Sequence, residues 1–423
     1  MNEATIVGVA TGTPDGGLAV VRLSGAQARA IAESICGALG EPRRLVRRGL
    51  KLGESVEDAL VVWMPGPRSF TGEDVVELHV HAGARNVRVV VERVLAAGAV
   101  AAEAGEFTRR AFNCGRLGLD QAEGIAALIA AETDAGLEQA RRLVAGELGR
   151  DVEGLCAEIR GLRCEVEANL DFPEDVADGD VVRWEAEVAR VVRALDRWIG
   201  EFEAGRRGRE RTRIVLAGPP NAGKSSLFNS LLGRERAIVS PVPGTTRDYV
   251  EAEFNCGGLE ATLVDTAGLR DSRDSVEAEG VRRSQLQVDG ADLVLWIEAV
   301  EQEIGEPPSG EVICVENKRD LGCRRAGWVG ASNIGVGELV DAVAAWAMRR
   351  RSQPWIGLAR HRDRVVECRE ALMRVELREA LEVAAFELGV AERRLAEITG
   401  RGQLGPVGES VLHDIFSRFC IGK

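Results

Sequence analysis

The chain has 423 residues, 45% of them hydrophobic, and a formal net charge of -13. That length predicts two to four domains, and the acidic balance argues against a general nucleic-acid coat, which would be basic overall. No apolar run approaches the ~20 residues of a membrane span. The start, MNEATIVGVATGTP, lacks the basic and long apolar stretches of a secretory signal. Nine cysteines without CxxC pairs fit reduced thiols, so a cytoplasmic protein with no membrane partner is expected. With only four histidines, a Cys/His zinc site is not expected. Basic clusters (RRLVRRGLK from Arg43, GRRGRERTR from Gly205, RRR at 349–351) read as solvated surface or domain junctions, with a local RNA face as the alternative.

In chain order, residues 1–117 read as α/β. TIVGVAT and LAVVRLSG are strand candidates around a Gly-rich turn, DALVVWMP and DVVELHVH are further strands, and NVRVVVERVLAAGA has helical spacing. Residues 118–210 read as helical, interrupted by DFPEDVADGD. RIVLAG opens an α/β alternation over 211–350, and helical spacing returns over 351–423. The expected fold class is multidomain α/β plus α: an N-terminal α/β domain, and a helical bundle domain into which a P-loop domain with a mostly parallel sheet is inserted.

Gly218-Pro219-Pro220-Asn221-Ala222-Gly223-Lys224-Ser225 matches G-x-x-x-x-G-K-[ST] between a strand and the helix SSLFNSLLG. Its backbone N–H groups are expected to wrap phosphates, with Lys224 as point charge and the Ser225 hydroxyl on Mg²⁺; Ser226 follows in the same turn. LVDTAG places Asp265 and Thr266 at a strand end, where Asp265 can hold Mg²⁺ through water, with Ala267 and the Gly268 N–H near the γ-phosphate. VICVENKRD supplies Asn317, Lys318 and Asp320. The Asp320 carboxylate can accept from guanine's ring N–H and amino group, a pair adenine does not offer. Together the three motifs predict a GTP site. Between them, SPVPGTTRD holds Ser240, Pro241, Val242, Pro243, Gly244, Thr245 and Thr246, the last read as the switch threonine over Mg²⁺. Leu269 stands where many GTPases have a water-positioning glutamine, and the residues alone leave Asp274, Glu277 and Glu279 open as substitutes.

Two features depart from expectation. AVEQEIGEPPSG, between two strands that should be parallel neighbours, is too short and Pro-rich for the usual crossover helix. The loop against the base aligns on Ala331 and Ser332 in GASNIGVG. The ending FSRFCIGK has the outline of a prenylation signal at Cys420, but Gly422 and Lys423 fit that pattern poorly. Glu77, His79 and His81 alternate on one strand face, readable as metal ligands or as an ordinary half-exposed face.

With SFTGEDVVELHVHAG, AGEFTRRAFNCGRLGLDQAE, DFPED, GPPNAGKSSLFNSLLGRERAIVSPVPGTTRD, DTAGLRDSRDSVEAEG, NKRD, ITG and FCIGK in hand, the chain resembles the MnmE (TrmE) family nearly end to end. The resemblance implies a dimerising, folate-binding N-terminal domain over 1–117, a helical domain over 118–210 and 351–423, and an inserted GTPase domain over 211–350. It implies K⁺ held by Asn221, Ser240, Val242 and Thr245, and Glu277 as orienter of the catalytic water, acting with Lys224 and Thr246. It implies a pocket for a one-carbon tetrahydrofolate (5-formyl or methylene) at Arg22, Glu77, Arg116 and Lys423, with arginine at 116 where the family commonly has lysine. Cys420 would lie near that one-carbon chemistry, as a functional thiol or as a small buried residue. The implied activity is a K⁺-activated, homodimeric GTPase. With an FAD-containing partner of the MnmG/GidA type, in a heterotetramer or larger complex, it adds a carboxymethylaminomethyl group to carbon 5 of the tRNA wobble uridine. A pure nucleotide switch is the competing class; it has no use for a folate site.

Overall fold

The computed structural model describes residues 4–11, 16–171, 178–209, 211–234, 250–256, 259–266, 286–302, 305–322, 325–332, 335–349, 357–400, 409–417, 419 and 422. The chain forms two compact units, one of Met1–Ala130, Ala140–Asp196 and Asp363–Lys423, the other of Ala131–Gln139 and Arg197–Arg362.

In the first unit, β1 (Ile6–Val9), β2 (Leu18–Ser24), β3 (Val46–Leu52), β4 (Ser55–Met64), β5 (Val75–His81) and β6 (Val100–Ala101) form a sheet ordered β3-β4-β5-β2-β1-β6. Every pairing is antiparallel except β1 with β6. Side chains alternate between faces. Ala19, Val21 and Leu23 of β2 and Val76, Leu78 and Val80 of β5 therefore share one face, buried under Ile31 and Ile35 of α1 (Ala28–Cys36) and Val90 and Val94 of α2 (Ala84–Ala96). Arg22, Glu77 and His79 are left on the opposite face. Helix α3 (Glu106–Asn113) follows β6.

Among the helices that follow are α4 (Leu119–Ala130), α5 (Asp134–Val144), α6 (Glu147–Asp171) and α7 (Asp178–Arg209). α6 buries Leu148, Val152, Cys156, Ile159, Leu162 and Val166, a stripe at helical spacing. It packs on α11 (Leu381–Ala396), whose Ala384, Ala385 and Ala391 allow close approach. The buried Glu392 of α11 lies between Arg160, at 2.6 Å, and Arg163, at 3.0 Å, because a carboxylate removed from water needs such partners. α10 (Ala359–Met373) and α12 (Glu409–Phe416) complete this set.

The second unit carries a sheet ordered β12-β11-β10-β7-β9-β8. Its strands are β7 (Thr212–Ala217), β8 (Val250–Cys256), β9 (Leu259–Asp265), β10 (Leu293–Ala299), β11 (Val312–Asn317) and β12 (Val329–Gly330). All pairings are parallel except β8 with β9. The buried run Ile214–Ala217 fits a strand covered on both faces. Leu227 and Leu231 of α8 (Lys224–Arg234) and Leu339 and Val343 of α9 (Gly337–Arg349) pack with Ile214, Leu216, Leu263, Leu295 and Ile297. β10 and β11 are parallel neighbours as expected, and no helix occurs among the described residues of their connection.

Candidate nucleotide site and N-terminal sheet site

Ligands of a parallel sheet gather at the carboxyl ends of its strands. The turn after β7 runs through Gly218 at φ +141° and Asn221 at φ +62°. At Gly223, φ +86°, a Cβ would stand 2.3 Å from the Asn317 side-chain nitrogen, so glycine is required. Lys224 opens α8 and donates from Nζ to the carbonyls of Gly218 and Pro219, both at 2.9 Å. Its ammonium thus lies against the loop that should wrap the phosphates. Ala222 is buried, while Asn221, Ser225 and Ser226 are exposed.

The other two motifs converge on this turn. Asp265, buried at the end of β9, pairs in register with Leu216, and the Thr266 hydroxyl donates to the Leu216 carbonyl at 2.8 Å. Asn317, buried at the end of β11, donates from Nδ2 to the Ala222 carbonyl at 2.8 Å. Its Oδ1 is buried without a hydrogen-bond partner among the described residues. Lys318 is left-handed at φ +58°, and Asp320 is exposed. The base loop meets this segment: Ala331 N–H donates to Glu316 O at 2.9 Å, Arg319 N–H donates to Ala331 O at 3.2 Å, and Ser332 bridges to Gly335. Asn221, Ala222, Gly223, Lys224, Ser225, Ser226, Asp265, Thr266, Asn317, Lys318, Asp320, Ala331 and Ser332 thus form one strand-end constellation. Ser240, Pro241, Val242, Pro243, Gly244, Thr245, Thr246, Ala267, Gly268 and Glu277 lie outside the described residues.

A second grouping stands on the N-terminal sheet. Arg22 and Glu77 are opposite in the β2–β5 ladder and pair at 2.8 Å, both side chains half-buried. The Arg22 guanidinium lies over the Phe70 and Phe107 rings, at 5.3 and 5.9 Å. His79 meets the second Glu77 oxygen at 3.3 Å, whereas His81 pairs with Glu57 at 2.9 Å. The Glu77, His79 and His81 trio readable as metal ligands is therefore divided, His81 turning to Glu57, and Glu77 acts as acceptor for Arg22 and His79. Arg116 is exposed beside Gly72. Of the C-terminal tail, Phe419 packs with Phe416 and Leu119, and Gly422 lies against Gly8 and Val9 of β1. Gly8 is the register partner of Arg22, so the tail glycine lies on β1 at the residue opposite Arg22. Cys420 and Lys423 lie outside the described residues.

Sequence reasoning missed a cluster that fixes this site's loop. Arg110, buried, donates to Glu106 at 2.7 Å, Glu73 at 3.1 Å and the Ala4 carbonyl at 2.9 Å. Glu73 also accepts from Ser24, which meets Thr71, each at 2.7 Å. Burial would lower the Arg110 pKa, but Glu106 and Glu73 outweigh it and raise it. The sequence signal was an RR pair in AGEFTRRAF, which does not say which arginine turns inward.

The family described as "GTP-binding protein TrmE N-terminus" matches residues 5–116, and the "MnmE helical domain" family matches residues 119–420. The chain belongs to the MnmE family. Proteins named "tRNA modification GTPase MnmE" are similar over nearly the whole length. The one from Methylobacterium sp. (strain 4-46) is 43% identical, covering 99% of each chain. That from Halorhodospira halophila is 41% identical over 99% of this chain and 96% of its own. That from Alkalilimnicola ehrlichii is 40% identical over all of both. As a member of that family, the protein is a GTP hydrolase with a role in tRNA modification. No helix among the described residues is long and apolar enough to cross a membrane.

Proposed function

We propose that this chain is a cytoplasmic, homodimeric, K⁺-activated GTPase. In this reading it acts with an FAD-containing partner to place a carboxymethylaminomethyl group on carbon 5 of the wobble uridine of certain tRNAs. The observation that supports the reading is the presence of two sites in one chain: a P-loop turn, and a half-buried Arg22–Glu77 pair on the strands beside β1, the strand on which the tail glycine lies. A simple switch has no use for the second. The domain edges we assign are 1–117, 118–210, 211–350 and 351–423.

At the nucleotide site, Lys224 and the backbone N–H groups of the turn hold the β- and γ-phosphates, and Asp320 holds the guanine edge. Ser225, Thr246 and, through water, Asp265 offer oxygen donors suited to Mg²⁺. Asn221, Ser240, Val242 and Thr245 do the same for K⁺; the exposed, left-handed Asn221 fits that role. The cation supplies positive charge where the leaving phosphate becomes more negative. Glu277 orients the attacking water in place of the absent glutamine. On the sheet, Glu77 accepts from the amino and ring N–H groups of a one-carbon tetrahydrofolate, while Arg22, Arg116 and Lys423 meet its carbonyl or acidic end, with Cys420 nearby.

The test is GTP turnover in matched K⁺ and Na⁺ buffers at fixed ionic strength. Strong activation by K⁺, lost in Asn221→Lys and Glu277→Ala, is expected. Equal rates in both salts would overturn the potassium mechanism and leave a slow switch.

A further inference from the structure

Among the described residues, the connection between β10 and β11 carries no helix, and the chain ties it down in another way. Glu298 and Glu316 stand opposite each other in the parallel register, and both are buried, at 0% and 1% exposure. Two adjacent carboxylates out of water are unfavourable unless paired. Arg325 meets Glu298 at 2.6 Å and Glu316 at 3.6 Å, with its guanidinium 5.0 Å from the Trp328 ring centroid. Glu298 also accepts from the Gly305 N–H at 2.7 Å. Arg325 further donates to the carbonyls of Ala299 and Gln302. This network ties down the short connection where a helix would otherwise do so.

The connection reaches the nucleotide turn through one residue. Gln302 is held at its backbone, which donates to Ala299 O at 2.9 Å. Its Oε1 accepts from the Ala299 N–H at 3.0 Å, leaving Nε2 to donate to the Pro220 carbonyl at 2.8 Å. That carbonyl shares a peptide plane with the N–H of Asn221, the non-glycine residue held at φ +62°. Lys224 takes the two preceding carbonyls, Gly218 and Pro219. Three consecutive carbonyls of the turn are thus bound, and the third depends on Gln302. We propose that Gln302 is a positioning residue for the GTP site. Anchored by the Arg325–Glu298–Glu316 network, it fixes the Pro220–Asn221 peptide in the conformation that receives the phosphates. The inference rests on the GTP-site reading.

Arg325→Ala would leave two buried carboxylates unpaired and unfold the unit, so the test is placed on Gln302. Gln302→Ala removes both side-chain bonds. Gln302→Glu keeps the acceptor for Ala299 and removes the donor to Pro220. The full chain and both variants are titrated with a fluorescent GDP analogue, at low salt and at 0.5 M salt to screen the added charge, and are assayed for GTP turnover and thermal midpoint. Both variants are expected to bind about three- to tenfold more weakly at high salt, the loss of one neutral hydrogen bond. KM for GTP should rise in parallel, while kcat stays within about twofold, as befits lost uniform binding. The midpoint of Gln302→Glu should be unchanged. Affinities within twofold of the unmodified chain overturn the proposal, and so does a loss seen only in Gln302→Ala together with a lowered midpoint. If the unmodified chain does not bind the analogue, the GTP-site reading fails first, and this inference with it.

Discussion

Arg22 and Glu77 face each other across β2 and β5 and close at 2.8 Å on the sheet face opposite the helix-packed core. A charged pair on a half-buried face gains little stability by itself. What it does is hold a carboxylate in one orientation, with Arg22 and His79 each at one of its oxygens. In the proposed folate reading, this carboxylate accepts from the two parallel N–H donors of a pterin.

Glu77→Gln should therefore cost ligand affinity far more than stability. One oxygen becomes a donor and meets the ligand's own donors, so binding of 5-formyltetrahydrofolate should weaken about tenfold or more, as for a lost charged hydrogen bond. Calorimetric titration reads the loss. GTP turnover of the unpaired chain should stay within about twofold, since Glu77 lies in the unit that does not carry the P-loop. Unchanged folate affinity would remove Glu77 from the pocket.

Asp320 should decide the base. The exposed carboxylate follows the left-handed Lys318 and lies next to Arg319, whose N–H is bound by Ala331. In Asp320→Asn one acceptor becomes a donor, which opposes guanine's amino group and suits a 2-oxo base. GTP affinity should drop about 100-fold or more and XTP affinity should rise, because sites built on hydrogen bonds discriminate strongly. Competition of both nucleotides against a fluorescent GDP analogue checks it.

The helical segment carries a pH dependence of known sign. Burial first, and then Glu392, push the Cys156 thiol up to about 12; burial and Cys156 push Cys368 up as well. An unfolded thiol ionises near ~8.5. The folded value is higher, so the contribution to stability is complete below the unfolded value and is lost as pH rises from there toward about 12. Urea midpoints should fall between pH 8 and pH 10.5, and Cys156→Ala should fall less. At pH 8, iodoacetamide should label the exposed Cys114 and Cys164 of the folded chain and spare Cys156 and Cys368.

The nucleotide site was legible because its motifs encode backbone: GPPNAGKS must turn, NKRD must follow a strand, and both sit at strand ends. The alternation in DVVELHVH likewise gave the face that carries Glu77. Arg110 and Arg325 were not legible: Glu106 stands at helical spacing from Arg110, but its other partners, Glu73 and the Ala4 carbonyl, lie 37 and 106 positions away, and Arg325 meets glutamates of two different strands at no characteristic spacing. Gln302 reaches a carbonyl 82 positions away. One signal was present and unused: in LVLWIEA and VICVEN a glutamate follows an apolar run as the last residue but one of the strand, and two such charges predict a buried cation between them.

The tail supplies the last prediction. Gly422 has φ +101°, and a Cβ there would stand 2.0 Å from the Val9 carbonyl oxygen. Its neighbour across the contact is also glycine: a Cβ on Gly8 would stand 2.9 Å from the Gly422 Cα. Two glycines therefore let the tail backbone lie directly on β1, next to the strand that carries Arg22. Gly422→Ala adds both a clash and a backbone strain of about 1–2 kcal/mol, which the last residues relieve by leaving β1. Phe419, packed with Phe416 and Leu119, precedes Gly422 and keeps its cluster, so the thermal midpoint should hold. Folate affinity should fall several-fold if the tail closes the Arg22–Glu77 site, and it should fall no further in a chain that also lacks Lys423. Full folate affinity in Gly422→Ala would show that the tail packs on β1 without serving the pocket.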